Sequence, residues 1–241
     1  MEENKKNGSC KGDTAIVVRG YTSADNREVQ RIFREGMMEM VFDTAFRGLM
    51  HHPESQLIYA ALTVAVYAST GSLWLACGVM PLVLMARCYY SKKAVDGYLK
   101  NAWDMQDIAQ HYLESPDRHL WLAEIRGSVV GTVSAHCLQD GTVELQRMSV
   151  DHRFRRHRVG AALGQKVVEF ARLRSQVSST GALSVILGTT AYNAAPHRLY
   201  LSLGFRCVGV TEGYSTPGTD QSLLEQAFYR VRHHHYRLDL Q

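Results

Sequence analysis

The chain reads as an α/β (α+β) fold, helices flanking a sheet, interrupted by one apolar insert. Three observations predict it. A strand, a basic turn and a helix follow one another between Val143 and Phe170. Further strand-like runs lie both before and after that joint. From Leu57 to Ala86 no side chain is charged, in a run rich in Leu, Ala, Val, Tyr and Trp.

The 241 residues, 46% of them hydrophobic, suffice for one sizeable core and an appendage. A net charge of +4 is mild. It favours an anionic cofactor or a membrane surface as partner and argues against nucleic acid. The five cysteines (Cys10, Cys77, Cys88, Cys137, Cys207) are odd in number and lack CxxC spacing. They read as reduced thiols, not a disulfide frame or a zinc site. Cys88, beside the apolar run, is also open to S-acylation. Residues 1–14 are expected to be a disordered tail, polar and without the apolar stretch of a cleavable signal.

In chain order, Ala15 to Arg19 reads as a strand. Thr22-Ser23-Ala24-Asp25 then opens a helix whose one face carries Val29, Ile32, Phe33, Met37, Met40 and Val41. The methionines are packing, not metal ligands. The apolar insert, residues 57–90, is broken at Ser69-Thr70-Gly71-Ser72, and Pro81 falls in its second half. Each half is about 12–14 residues, short of the roughly 20 that a vertical membrane span needs. A single span would also tear the strand at 15–19 from strands that follow the insert. A helical hairpin set into a membrane is therefore predicted over a single span or a buried soluble pair. Arg47 before the insert, and Arg87, Lys92, Lys93 and Lys100 after it, place both flanks on the cytoplasmic side.

Residues 94–114 read as helix, broken near Trp103-Asp104. His119 to Ile125 and Val129 to His136 form a β-hairpin through Arg126-Gly127-Ser128. The strand at 143–150 then meets Asp151-His152-Arg153-Phe154-Arg155-Arg156-His157-Arg158, and Val159, Leu163, Val167 and Phe170 recur at helical spacing. A helix N-terminus has unpaired N–H groups and partial positive charge, so this joint is an anion site, with Gly160, Ala161 and Ala162 admitting a phosphate close to the backbone. Ser178-Ser179-Thr180-Gly181 reads as a loop, Leu183 to Thr189 as a buried strand, and Ala195 to Phe205 as a helix with Pro196 in its first turn and Gly204 at its end. Two strands follow, near 205–210 and 228–238, joined by a Gly/Ser/Thr-rich loop. His233-His234-His235 cannot converge on one metal, because successive strand residues face opposite sides. No metal site is expected.

Arg155-Arg156-His157-Arg158-Val159-Gly160 resembles the acetyl-CoA pyrophosphate loop of the GNAT N-acetyltransferases, Gln/Arg-x-x-Gly-x-Gly/Ala. Arg158 stands where the family has its first Gly. Asn193 … Leu199-Tyr200-x-x-x-Gly204-Phe205 is similar to the family's second signature. The resemblance implies a central mixed, mostly antiparallel sheet flanked by helices, with acetyl-CoA as cosubstrate. It implies that Arg155, Arg156, His157, Arg158, Val159, Gly160, Ala161 and Ala162 cradle the pyrophosphate. Arg147, Met148, Ser149 and Val150 then pair with the pantetheine arm and offer N–H groups to the thioester carbonyl, Asn193 contacts that arm, and Tyr200 protonates the departing thiolate. For the base that frees the acceptor amine, Glu144 is the first choice and His136 the second.

The apolar insert, Val95-Asp96, Trp121-x-Ala123-Glu124 and Val129-Val130-Gly131-Thr132-Val133 narrow the resemblance to the camello-like (N-acetyltransferase-eight) group, membrane-bound enzymes of the endoplasmic reticulum. That implies a GNAT domain over residues 15–56 and 91–241, divided by the insert. It also implies a small-molecule acceptor (the α-amine of a cysteine S-conjugate) or a lysine-bearing protein. The alternative is a catalytically silent acyl-CoA-binding membrane protein or scaffold.

Overall fold

A computed structural model of the protein describes residues 15–177, 184–212, 228 and 231–240. The tail at 1–14, the loop at 178–181 and most of the Gly/Ser/Thr-rich loop before the last strand lie outside the described residues.

Seven strands form one sheet: β1 (Ile16–Gly20), β2 (Arg118–Ile125), β3 (Ser128–Cys137), β4 (Thr142–Val150), β5 (Ser184–Thr190), β6 (Arg206–Thr211) and β7 (His233–Asp239), in the order β1-β2-β3-β4-β5-β7-β6. Only β4 and β5 pair in parallel. The mixed, mostly antiparallel sheet expected from the sequence is present. The β2–β3 connection is a two-residue turn in which Arg126 (φ 53°) and Gly127 (φ 74°) both take positive φ. That conformation matches the right-handed twist of the strands it joins.

The helices are α1 (Asn26–Phe42), α2 (Gly48–Met50), α3 (Pro53–Thr70), α4 (Leu73–Asn101), α5 (Trp103–Gln106), α6 (Ile108–Leu113), α7 (Val159–Val177) and α8 (Ala194–Ser202). On one face of the sheet α7 lays Val159, Leu163, Val167 and Ala171 onto Val143, Leu145 and Val185. On the other, Val29 and Phe33 of α1 meet Ile108, Tyr112 and Leu122. Each such aliphatic side chain contributes about 1.5–3 kcal/mol by leaving water.

β1 pairs with β2 although the whole apolar insert lies between them. Both ends of the insert therefore leave and re-enter the domain on one side. Gly71 (φ 62°) turns the chain between α3 and α4, which pack on each other as a helical hairpin. Its outer surface is apolar: Leu57, Val64, Leu73, Trp74 (89% exposed) and Leu82 face outward. Each uncharged arm, residues 57–70 and 73–86, is about 21 Å long at 1.5 Å per residue, against roughly 30 Å of hydrocarbon in a bilayer.

Three sequence expectations are corrected. Arg87 is not a flanking surface charge. It is 1% exposed, and its guanidinium donates to the carbonyls of Ala45 (2.8 Å) and Thr44 (3.0 Å) and to the Tyr59 hydroxyl (3.3 Å). The cause is a π-helical turn, Asp43–Arg47, after α1. Such a widened turn disturbs the regular carbonyl ladder, and Arg87 supplies donors to it. Second, α4 passes residue 90 unbroken, so the insert's second arm and the next helix of the domain are one element. Third, the last strand begins at His233, not at Phe228. Phe228 instead stacks on Tyr59 and Tyr90 (ring centroids 6.1 and 5.4 Å).

Candidate active site

β4 and β5 run together for only three pairs, Thr142↔Ser184, Val143↔Val185 and Glu144↔Ile186, and then part. Beyond Glu144, β4 stays paired to β3 as far as Val150, and β5 stays paired to β7 as far as Thr190. A wedge therefore opens between Leu145–Val150 on one side and Leu187–Thr190 on the other. Backbone groups of β4 that point into it have no strand partner among the described residues. They are free to pair with an extended ligand, as an exposed strand edge does.

At the C-terminal end of β4 the chain turns into α7. Arg158 carries the carbonyl that accepts from Ala162 N–H (3.0 Å), so the N–H groups of the residues between open the helix unpaired within it. Arg155, Arg156, His157 and Arg158 are all exposed. Arg155 is held, donating to Glu39 (2.6 Å) and to the Val150 carbonyl (3.2 Å). His157 Nδ1 donates to the Arg155 carbonyl. Arg156 and Arg158 make no ion pair among the described residues, and both sit at positive φ (66° and 63°). Arg158 thus takes the left-handed conformation that a glycine adopts without cost, at about 1–2 kcal/mol. The space left by Gly160 is filled by Leu199 of α8, which a Cβ would meet at 3.0 Å.

Tyr200 lies in the core beneath the wedge, 7% exposed. Burial pushes its phenol up to about 12. Among the described residues its hydroxyl finds one hydrogen-bond partner, the Met148 sulfur at 3.8 Å. Thioether sulfur is a weak acceptor, so the phenol is protonated and under-used. Glu144 is on the opposite face of β4 from Val143 and Leu145, and hence from Tyr200. It occupies the last pair before the strands diverge and accepts from Gln146 Nε2 (2.7 Å). His136 is its cross-strand partner; burial, then Arg118, lowers the pKa of that imidazole. The wedge is thereby flanked by a phenol on one face and a carboxylate on the other. Asn193 caps α8, its Oδ1 accepting from Ala195 N–H (3.0 Å), and it also hydrogen-bonds Asp43 beyond α1.

One feature of the site was invisible in the sequence, the pairing of Arg147 with Asp104. β4 carries a bulge between its pairings with Ser134 and Thr132, and Arg147 sits there at φ 51°. Its guanidinium makes a two-pronged bond to Asp104 (2.7 and 2.7 Å), with Tyr98 also against it. Asp104 accepts from Tyr112 as well (2.9 Å). The bulge redirects the backbone of β4 within the wedge. Only tertiary pairing reveals it; Asp104 and Arg147 share no local pattern.

Among the described residues two groups bring three possible metal-ligand atoms within 4.8 Å, Glu35/Asp151/His152 and His52/Glu54/Glu212. Each already carries a guanidinium, Arg31 and Arg153 on the first and Arg232 on the second.

Residues 84–205 match the model of the Acetyltransferase (GNAT) family. The human N-acetylaspartate synthetase is 44% identical over 95% of this chain and 75% of its own length. The zebrafish (Danio rerio) N-acetylaspartate synthetase is 45% identical over 93% and 79%. Mouse N-acetyltransferase 8 is 31% identical over 80% and 85%. Among solved structures, an N-acetyltransferase from Staphylococcus aureus Mu50 superposes with a TM-score of 0.52 at 16% identity, covering 94% of this chain and 99% of that one. That likeness is one of fold.

Proposed function

The chain belongs to the GNAT acetyltransferase family, and we propose that it moves an acetyl group from acetyl-CoA to the α-amine of aspartate. One observation carries the cofactor half of this reading: the parting of β4 from β5 directly before the amide-lined start of α7. A pantetheine arm fits the free edge at Met148, Ser149 and Val150. The pyrophosphate fits the mouth formed by Val159, Gly160, Ala161 and Ala162, with charge from Arg156 and Arg158 and a rim from Arg155 and His157. The acceptor half follows from relatives. Likeness to the synthetases, at 42–45%, exceeds that to the N-acetyltransferase 8 group at 30–31%. Aspartate therefore takes precedence over cysteine S-conjugates and protein lysines.

In this mechanism Glu144, directly or through water, takes a proton from the acceptor ammonium. The free amine attacks the thioester carbonyl carbon, whose oxygen is polarised by N–H groups of the bulged β4. The C–S bond breaks, Tyr200 gives its proton to the departing sulfur, and the second proton shed by the attacking nitrogen as it becomes an amide restores the phenol. A phenol near 12 is a weaker acid than a free thiol of about 8.5. Transfer must therefore accompany C–S cleavage inside the desolvated wedge, where a bare thiolate is also disfavoured. Asn193 holds the start of α8, and so Tyr200, against the π-helical turn that follows α1.

The test is acetyl-CoA turnover by detergent-solubilised protein on aspartate, S-benzyl-cysteine and a lysine peptide. Tyr200→Phe should lower kcat by about 10²–10⁴ and leave KM for acetyl-CoA unchanged. Equal turnover by Tyr200→Phe removes the phenol from the mechanism; turnover confined to another amine removes aspartate.

The apolar hairpin seats the enzyme in the endoplasmic reticulum membrane, with the catalytic domain on the cytoplasmic face. Support comes from α4, long and apolar enough to cross a membrane, and from Arg47, Lys92, Lys93 and Lys100 beside the hairpin base. Flotation with vesicles should be lost when Trp74 and Leu82 both become Asp; retention of the double variant on vesicles counts against insertion.

A further inference from the structure

At the rim of the wedge, where β5 ends and β7 begins, lie three cationic or imidazole side chains. β7 begins there: His234 pairs with Thr189 of β5, and its ring lies 4.9 Å from that of His197 on α8, one turn before Tyr200. Arg232 precedes the strand and His51 ends α2; both are among the charges that His234 senses. Tyr192 ties His51 and Arg232 into one frame. Its ring is 5.4 Å from that of His51, and its hydroxyl accepts from Arg232 N–H (3.0 Å) and pairs with His52 Nε2 (2.9 Å).

Hydrogen bonding fixes what each group has left. His51 Nδ1 sits 3.0 Å from the Arg47 carbonyl, so it carries the proton and donates, which leaves Nε2 without a hydrogen-bond partner among the described residues and an acceptor until it is protonated. Neither ring nitrogen of His234 has a hydrogen-bond partner among the described residues. Arg232 gives a terminal nitrogen to Glu212 (2.6 Å), yet its Nε is buried and unpartnered among the described residues. By contrast His197 is fully used: Nε2 donates to the Thr190 carbonyl, and Nδ1 accepts from Tyr236. His51, His234 and Arg232 are all half-buried, and with its Nε enclosed Arg232 offers a ligand its terminal nitrogens alone.

We propose that His51, His234 and Arg232 form a carboxylate clamp that selects an acidic amino acid as acceptor, holding its side-chain carboxylate while the amine faces the thioester. This rests on the acetyltransferase reading and adds the residues that choose the acceptor. The clamp offers nothing to the thioether of a cysteine S-conjugate or to the aliphatic stem of a lysine. Burial, then neighbouring His197, Arg232, His51 and His235, keeps His234 from protonating alone. Glu212 serves Arg232, so a carboxylate between the imidazoles supplies the counter-charge that His234 lacks, and the acceptor draws a proton onto the rim as it binds.

The experiment uses the full chain in detergent. Replacing either imidazole, His51→Gln or His234→Gln, should raise KM for L-aspartate about tenfold or more, as the loss of a charge-assisted hydrogen bond does. KM for acetyl-CoA should stay constant, and the preference for aspartate over asparagine should collapse. A second readout needs no variant and no turnover. Succinate, a dicarboxylate without an amine, should slow modification of His51 and His234 by diethylpyrocarbonate and leave the exposed His152 and His157 unprotected. If wild type acetylates aspartate and both variants keep the wild-type KM and preference, the clamp is wrong and the acetyltransferase reading stands. If wild type acetylates only other amines, the aspartate reading falls. The clamp then survives on succinate protection, or falls with it if succinate protects neither imidazole.

Discussion

Replacing Asp104 by Asn keeps the side chain's size and removes its charge, leaving Arg147 buried at the β4 bulge without a counter-ion. The pair is well enclosed: Arg147 is 15% exposed and Asp104 5%, with both prongs at 2.7 Å. Breaking such a pair from one side costs about 3–5 kcal/mol. Asparagine can still accept one bond from the guanidinium, so the lower end, about 3 kcal/mol, is expected. For a chain of this size each kcal/mol moves Tm by roughly 2–4 °C, which puts the loss at about 6–12 °C. The wedge loses its shape with it, so kcat for acetyl transfer should fall as well. Thermal unfolding of the detergent-solubilised protein measures the first and acetyl-CoA turnover the second. Asp104→Leu combined with Arg147→Met should recover most of the stability, because apolar side chains of similar volume tolerate the burial that a lone charge does not. Acidity gives a further handle. Burial acts most strongly on Asp104 and opposes its ionisation, but the hydrogen bond and charge of Arg147, with the Tyr112 hydroxyl, outweigh it and hold the carboxyl below its ordinary value. The pair's stabilisation is therefore complete above the unfolded value of about 4 and is lost as pH falls through the lower folded value. The gap between wild type and Asp104→Asn should close in acid. A Tm for Asp104→Asn within 2 °C of wild type at neutral pH, on the order of a surface substitution, would refute the reasoning.

Arg158→Gly relieves a left-handed residue, worth about 1–2 kcal/mol, and adds unfolded-chain entropy of about 0.5–1 kcal/mol. The variant should be more stable by roughly 0.5–1 kcal/mol in urea melts, with a modest rise in KM for acetyl-CoA; a drop in stability contradicts the strain. Gly131→Ala puts a Cβ 3.1 Å from the Ser149 carbonyl, 3.1 Å from Val159 and 3.0 Å from Leu163. It should cost about 1–3 kcal/mol by overpacking, read as a lower urea midpoint. Arg87→Met leaves the Thr44 and Ala45 carbonyls without their donors, at roughly 1–3 kcal/mol for each orphaned group. A denaturation midpoint equal to wild type would mean that water replaces Arg87.

Features with a local period or a local turn were legible in the sequence. The joint from β4 to α7 announced itself by alternation, a basic turn and the Val159/Leu163/Val167 stripe. Gly71 and Arg126-Gly127 marked two reversals through the chemistry of positive φ. The hairpin followed from the length of each apolar arm and from the strand that precedes it. What escaped was set by distant partners. Arg87 looked like a flanking charge because nothing near it in sequence discloses the π-helical turn it serves. Arg147 and Asp104 are linked only through the sheet, and the rim imidazoles come from α2 and β7, far apart along the chain. Alternation placed successive members of His233-His234-His235 on opposite faces of the strand. That reading alone could not say that His234 is turned toward α8 and His235 toward Thr211.

The unbroken course of α4 has a practical consequence. At 29 residues, about 43 Å, it is a single rod that starts at the hairpin's tip and ends beside Asp104, whose grip on Arg147 shapes the wedge. Excising residues 57–90 to make a soluble enzyme would sever that rod and delete Arg87 in the same stroke. A water-soluble version is better sought by repainting the outward faces of the two arms with polar residues, leaving their backbone and the inward-facing Tyr59, Val79 and Val83 in place.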